Sequence, residues 1–172
     1  LVPAVAESCP GGVVSRRDGA ANPAQTTTAF RRMAERRGAR IIEGVSVETV
    51  KHESHCWHVT AGGEVYSAPI LVNAAGAWGG KLAAMLGEPV PLEVVAPMLM
   101  ITSRVPAFIK PVVILRSRKL SFKQFANGTV MIGGGYLGRA YPETNETDLD
   151  WTQLKNNART VWDLFPIMRE AT

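Results

Sequence analysis

The feature that most constrains this chain is one apolar stretch, Ala68 to Trp78, broken at Pro69, Asn73 and Gly76. It is far shorter than the ~20 residues a membrane helix needs, so a globular core must take it up as strand plus turn. Ile70, Leu71 and Val72 are apolar on both faces, the pattern of a strand inside a parallel sheet. Ala74, Ala75 and Gly76 carry almost no side chain and give a tight turn. Trp78, Leu82, Met85 and Leu86 then recur at helical spacing, with Gly87 as the stop. The pattern predicts a buried strand, Ile70–Asn73, that turns through small residues into a helix over 78–86.

The chain on either side follows two different grammars. Residues 1–17 are irregular, with Pro3, Pro10, Gly11 and Gly12 as breakers. Asn22, Pro23 and Gln25 form a helix start. Ala29, Phe30, Met33 and Ala34 give that helix, 23–37, one apolar face, and Gly38 ends it. Two short strands separated by Gly44 are expected over 39–50, then a turn at His52–His55. A hairpin of 57–61 and 64–67 closes through Gly62-Gly63, so that 46–67 forms a small antiparallel meander. After Pro89 and Pro91 the strand-like runs are 92–102, 112–115, 120–125 and 129–132, with Asn127-Gly128 as a hairpin signal. Leu120, Phe122 and Gln124 alternate against Ser121, Lys123 and Phe125, so one face is mostly apolar and the other mixed. A polar loop, 138–147, precedes a helix capped by Asp150 with Gln153 and stopped by Pro166. The boundary falls at Gly87–Pro91, between an α/β part and an antiparallel sheet with a helix packed on it.

Composition sets the outer limits. With 46% hydrophobic and 20% charged residues among 172, the chain can bury a core as one domain or as pieces of two. The +4 net charge gathers at Arg31, Arg32, Arg36 and Arg37 and again between Arg104 and Lys123. The first group lies on a helix whose other face is apolar, so it is a solvated face, and nucleic-acid binding is not expected. Cys9 and Cys56 form no CxxC and point to free thiols in a reducing, cytoplasmic compartment. No basic region precedes the apolar Leu1–Ala6, so no signal peptide is expected. The start on Leu-Val-Pro without Met is the first sign of a piece of a longer protein.

Several chemical motifs are present by letter and fail by context. Gly133, Gly135 and Gly138 spell G-x-G-x-x-G after a strand, but Arg139-Ala-Tyr-Pro-Glu-Thr-Asn-Glu cannot start the helix a dinucleotide site needs. Those glycines fit a bend in the sheet or close ligand approach. His52, His55, His58 and Cys56 lack the carboxylate or second cysteine of a tetrahedral set, so no metal site is expected. No nucleophile elbow, P-loop lysine or zinc-protease helix occurs. The turn at Ala74, Ala75 and Gly76 remains. Its backbone could meet a phosphate or sugar, helped by the following helix N-terminus, or it could simply be a tightly packed strand–helix corner; the residues alone weigh both equally.

Asp18-Gly-Ala-Ala-Asn-Pro, Ala29-Phe30, Gly38-Ala39, Val47 with Val50, and Val72-Asn-Ala-Ala-Gly-Ala-Trp resemble, in order and spacing, the D-amino-acid oxidase superfamily of flavoenzymes. Leu120-Ser-Phe-Lys-Gln, Asn127-Gly and Ile132-Gly-Gly-Gly are similar to its glycine-oxidase, opine and hydroxyproline dehydrogenase branch. The resemblance covers about 16–166. It implies α/β plus α+β architecture: residues 1–90 as the middle portion of a discontinuous FAD-binding domain, 91–166 as an antiparallel substrate domain, and 167–172 as the start of a return segment. It implies FAD as cofactor, met by the backbone of Val47 and by Ala74, Ala75, Gly76 and Trp78. It implies that the strand carrying Leu120, Phe122, Lys123 and Gln124 faces the substrate.

The family's own G-x-G-x-x-G at the start of the full protein and its closing C-terminal segment are outside this chain. The tyrosine that glycine oxidase-like members carry near the Leu120 strand is not on that strand, which leaves Lys123 and Gln124 as its polar candidates. The implied activity is oxidation of the C–N bond of an amino acid or secondary amine by hydride transfer to flavin. The catalytic residues are undetermined, partner subunits of a hetero-oligomeric dehydrogenase are an option, and any membrane association is left to them. The fragment alone is expected to be inactive. Two alternatives remain: a non-catalytic ligand-binding or subunit-interface module, favoured by Met98, Leu99 and Met100 after Pro97, and a relative acting on a different substrate such as a glycerol phosphate or modified nucleoside.

Overall fold

The computed structural model describes residues 2–171 and forms two compact units: Ala21–Val94, and the chain on either side of it, up to Ala20 and from Val95 onward. Residues before Ala21 thus cluster with the second half of the chain, where the sequence had grouped 1–90 together. They do so because Val2, Ala4, Val5 and Cys9 pack on that half's core, and the Ala6 amide donates to the Leu164 carbonyl at 2.8 Å. Among the described residues no helix is long and apolar enough to cross a membrane.

The unit Ala21–Val94 contains helix α1 (Pro23–Arg36), strands β1 (Val47–Glu53), β2 (Cys56–Ala61) and β3 (Glu64–Ala68), and helix α2 (Gly79–Met85). The start of α1 is as read: the Asn22 side chain accepts from the Gln25 amide at 3.1 Å, with Pro23 at the first helical position. Both helices end in the same way. Gly38 (φ 90°) and Gly87 (φ 78°) take the left-handed conformation, and the residues after them, Ala39 and Glu88, donate back to Ala34 and Ala83. This Schellman geometry satisfies carbonyls that the helix itself leaves open, and its positive φ is what glycine supplies without strain. The three strands make an antiparallel meander in sequence order.

Three expectations in this unit are corrected. Residues 39–46 form no strand; the first strand begins at Val47. Residues 70–73 pair with no strand among those described, and Ile70 and Val72 are 76% and 78% exposed, so this segment is not a buried parallel strand here. A strand exists only through its ladder, and every ladder among the described residues is antiparallel. The apolar face of α1 is likewise uncovered, with Phe30 74% exposed and no residue of the helix buried.

The other unit carries the larger core. Strands β5 (Met100–Ile101), β6 (Val113–Leu115), β7 (Leu120–Gln124) and β8 (Val130–Gly133) form an antiparallel sheet in the order β5-β8-β7-β6. A second sheet, β10-β9-β4, joins β4 (Ala96–Pro97), β9 (Leu137–Tyr141) and β10 (Glu146–Asp148). Here the expected polar loop at 138–147 is a hairpin: Tyr141, Ala140 and Arg139 pair with Glu146, Thr147 and Asp148. Its residues are mostly polar because both of its strands lie largely exposed. Helix α3 (Trp151–Leu164) packs on β7 and β8. Leu120, Phe122, Val130, Ile132, Val161, Leu164, Phe165 and Met168 are buried together, and the Phe122 and Phe165 rings stack with centroids 4.5 Å apart.

Buried polar groups in this core are paired by side-chain amides. Gln124 accepts from the Phe108 amide (2.9 Å) and donates to the carbonyls of Pro106 (3.0 Å), Val105 (3.2 Å) and Gly128 (3.3 Å). Asn157 of α3 donates to the carbonyls of Lys119 (3.3 Å) and Gly133 (3.2 Å). Between those carbonyls Gly134 (φ 142°) passes so close to the next strand that a Cβ would lie 2.6 Å from the Lys119 carbonyl carbon. The G-x-G-x-x-G letters therefore mark a crowded strand end, and the chain continues as β9 rather than as a helix.

Two outcomes are expected from this packing. Gln124→Leu should destabilise the chain by about 1–3 kcal/mol in urea unfolding, because buried backbone groups lose their partner while the volume is kept. The Asp150 carboxyl, which caps α3, is held below its usual range by the Gln153 amide and then by the Gln153 side chain. A depressed carboxylate contributes stability that is present above its unfolded pKa of about 3.9 and is lost as pH falls through the folded value. Asp150→Asn, which still caps, should therefore melt below wild type at neutral pH, and the gap should close on acidification below about pH 4.

Candidate functional site

The two groups of candidate residues lie in different units. In the first, Asn73 builds the turn. Its side chain accepts from the Ala75 amide (3.2 Å) and donates to the Gly79 carbonyl (2.9 Å), so a single carboxamide clamps both ends of Ala74–Trp78. The Trp78 amide donates to Ala75, and Gly76–Trp78 forms a 3-10 turn leading into α2. Ala74 and Gly76 are exposed and Ala75 is half-buried, with nothing within 4 Å of where a Cβ on Gly76 would stand. Backbone with so little above it is open to an extended ligand, which fits the phosphate and sugar part of a dinucleotide. Helix α2 has only seven residues, so the helix-terminus attraction expected from sequence adds little. Val47 opens β1 opposite Ala61, next to an irregularity in the register, and α2 packs against this same strand. Val47, Ala74, Ala75, Gly76 and Trp78 thus belong to one contiguous part of the unit.

In the second unit the alternation along β7 separates the four substrate-facing candidates. Leu120 and Phe122 are core residues, Phe122 with no exposed surface at all, and Gln124 is the buried clamp described above. Lys123 alone points to the opposite face, with Ser121 and Phe125. Across the sheet Met131 and Ile101 stand in the same row as Lys123, and Ile114 stands beside Ser121. Ile101 and Ile114 are 60% and 76% exposed, so this face is an open apolar surface with one charge on it. The Lys123 ammonium lies 4.8 Å from the centroid of the Phe125 ring.

The histidines serve locally. The His52 ring lies against Trp57 with centroids 4.4 Å apart, His58 Nδ1 meets Ser67 Oγ at 2.8 Å, and His55 occupies the turn between β1 and β2 with φ 65°. No group of three metal-ligating side chains occurs among the described residues. Sequence reasoning missed Asn73 as the organiser of the turn. The Asn-x-Ala spacing, which allows a side chain to bond the backbone two residues on, was the available signal.

Comparison with known proteins agrees with this architecture. The profile of the DAO family, described as FAD dependent oxidoreductase, matches residues 1–172. Mitochondrial sarcosine dehydrogenase of Mus musculus is 26% identical over 169 residues, which are 90% of this chain and 18% of that protein. L-proline dehydrogenase from P. horikoshii superposes with a TM-score of 0.73 at 23% identity, over 88% of this chain and 41% of its own. Glycine oxidase from Geobacillus kaustophilus superposes with a TM-score of 0.70 at 19% identity, over 84% and 38%. The chain spans less than half the length of each of these relatives. The structural likenesses carry the fold, and the match along the whole sequence carries the family: this chain belongs to the DAO family of FAD-dependent oxidoreductases.

Proposed function

We propose that the chain is the central part of an FAD-dependent enzyme that oxidises the C–N bond of an amino acid or secondary amine. The observation that carries this reading is the clamped, side-chain-poor turn Asn73–Trp78, in a chain that matches the family from end to end. Ala74, Ala75 and Gly76 would lie along the ribose and pyrophosphate, Trp78 beside them, and the Val47 backbone near the adenine. Bound FAD would supply the hydride acceptor, and the protein supplies orientation and exclusion of water. The open face of the β5-β8-β7-β6 sheet is the surface offered to the substrate. Sarcosine, proline and glycine, named for the relatives, are the first compounds to try.

The module reading loses one of its supports. Met98 is buried and its sulfur accepts from the Asp150 amide at 3.3 Å, so its apolar character is explained by packing rather than by lost chemistry.

The protein carrying this chain should retain FAD on purification and bleach anaerobically with at least one of sarcosine, L-proline or glycine, followed by visible absorption. Reduction by glycerol phosphate alone would replace the amine reading. Residues 1–172 by themselves should bind FAD weakly and turn nothing over. Ala74→Glu, at an exposed position, should leave the fold intact and weaken FAD retention roughly tenfold or more, because it sets a carboxylate against the diphosphate.

A further inference from the structure

We propose that Lys123 is the specificity residue that selects substrates bearing a carboxylate; this rests on the reading of the sheet face as the substrate surface. Four residues of this strand were candidates, and burial removes three of them. Leu120 and Phe122 fill the core, and the Gln124 amide is consumed by the backbone of 105–109 and Gly128. Lys123 is left, and its setting is unusual for a lysine. It sits on β7, an interior strand flanked by β8 and β6, so its Cα is held by ladders on both sides. It is half-buried on a face otherwise formed by Ile101, Ile114, Met131, Phe125 and Ser121.

The ion pairs among the described residues are Arg31 with Glu35 and Glu43, and Arg118 with Asp163; Lys123 is in none of them. Its ammonium rests over the Phe125 ring instead. A cation–π contact of this kind is a modest attraction at an exposed site. It holds the head group near the sheet without neutralising it. An apolar surface with one fixed positive charge favours a small molecule with an apolar body and one anionic end. Surrounding apolar side chains lower the local dielectric and strengthen the pairing of ammonium with carboxylate. An amine without a carboxylate would gain nothing from this residue.

The test uses the whole flavoprotein that carries this chain, with acetate and acetamide as probes of equal shape and different charge, and NMR titration as the readout. Wild type should bind acetate more tightly than acetamide. Lys123→Met should weaken acetate roughly tenfold to a hundredfold and leave acetamide unchanged, and Lys123→Arg should restore most of the difference. In turnover the loss should appear in KM for sarcosine and not in kcat, with dimethylamine indifferent to the substitution. Should Lys123→Met fail to fold, Lys123→Gln makes the same comparison. Equal binding of the two probes by wild type, or acetate binding indifferent to the loss of the ammonium, would overturn the proposal. If acetate depends on Lys123 while no amine reduces the flavin, this inference stands and the enzymatic reading falls. If amines reduce the flavin with no dependence on Lys123, the reverse holds.

Discussion

Strand β7 can bury only one of its faces, and much of the unit around it follows from which one it buries. Because side chains alternate strictly, setting Phe122 against Phe165 at 4.5 Å commits Leu120 and Gln124 to the same interior. Helix α3 then has its partner, and Val161, Leu164 and the turn that follows close over the rings. A slip of one residue would place Lys123 in the core and Phe122 in solvent, so the register is fixed by a large penalty in both directions. The same alternation pushes Ser121 and Lys123 out together. The chemistry available on the open face is therefore a by-product of how the core is filled.

A close core leaves backbone groups stranded where ladders end, and the chain meets this with carboxamides. A carboxamide carries a donor and an acceptor together, and can stand in for a peptide group. Gln124 does so for the 105–109 segment, and Asn157 supplies the donors between β7, β8 and α3. Gln153 does it for Leu137, accepting from its amide at 3.3 Å and donating to its carbonyl at 2.9 Å while also serving the α3 cap. Asn73 does it for the small-residue turn. No buried side-chain nitrogen or oxygen among the described residues is left without a partner.

What could be read from the sequence was local chemistry. The caps at Asn22 and Asp150, the glycine stops at 38 and 87, and the turns at Gly62-Gly63 and Asn127-Gly128 each depend on residues within a few positions of one another. What could not be read depends on distant partners. Alternation along 120–125 showed two faces but not which would meet α3, so Leu120, Phe122 and Gln124 were grouped with Lys123 as substrate-facing. The β9–β10 hairpin was hidden because a strand exposed along most of its length needs no apolar pattern. The placement of residues before Ala21 was hidden because Val2, Val5 and Cys9 carry no periodic signal and are fixed by the far core they reach.

The unit Ala21–Val94 shows the opposite balance. Its buried apolar side chains among the described residues are the small ones Val50, Ala61 and Ala83, while Phe30, Ile70 and Val72 stand open. So slight a core cannot be what holds the turn at residues 73–78 in shape. Its rigidity comes instead from bonds that are local in sequence: the two from the Asn73 carboxamide, the 3-10 step to Trp78, and the Schellman closure of α2 at Gly87. Such a turn keeps its form whatever covers Ile70 and Val72. The apolar stretch that opened the reading of the sequence therefore divides in function: its first half asks for burial by other chain, and its second half is already organised to meet a ligand with bare backbone.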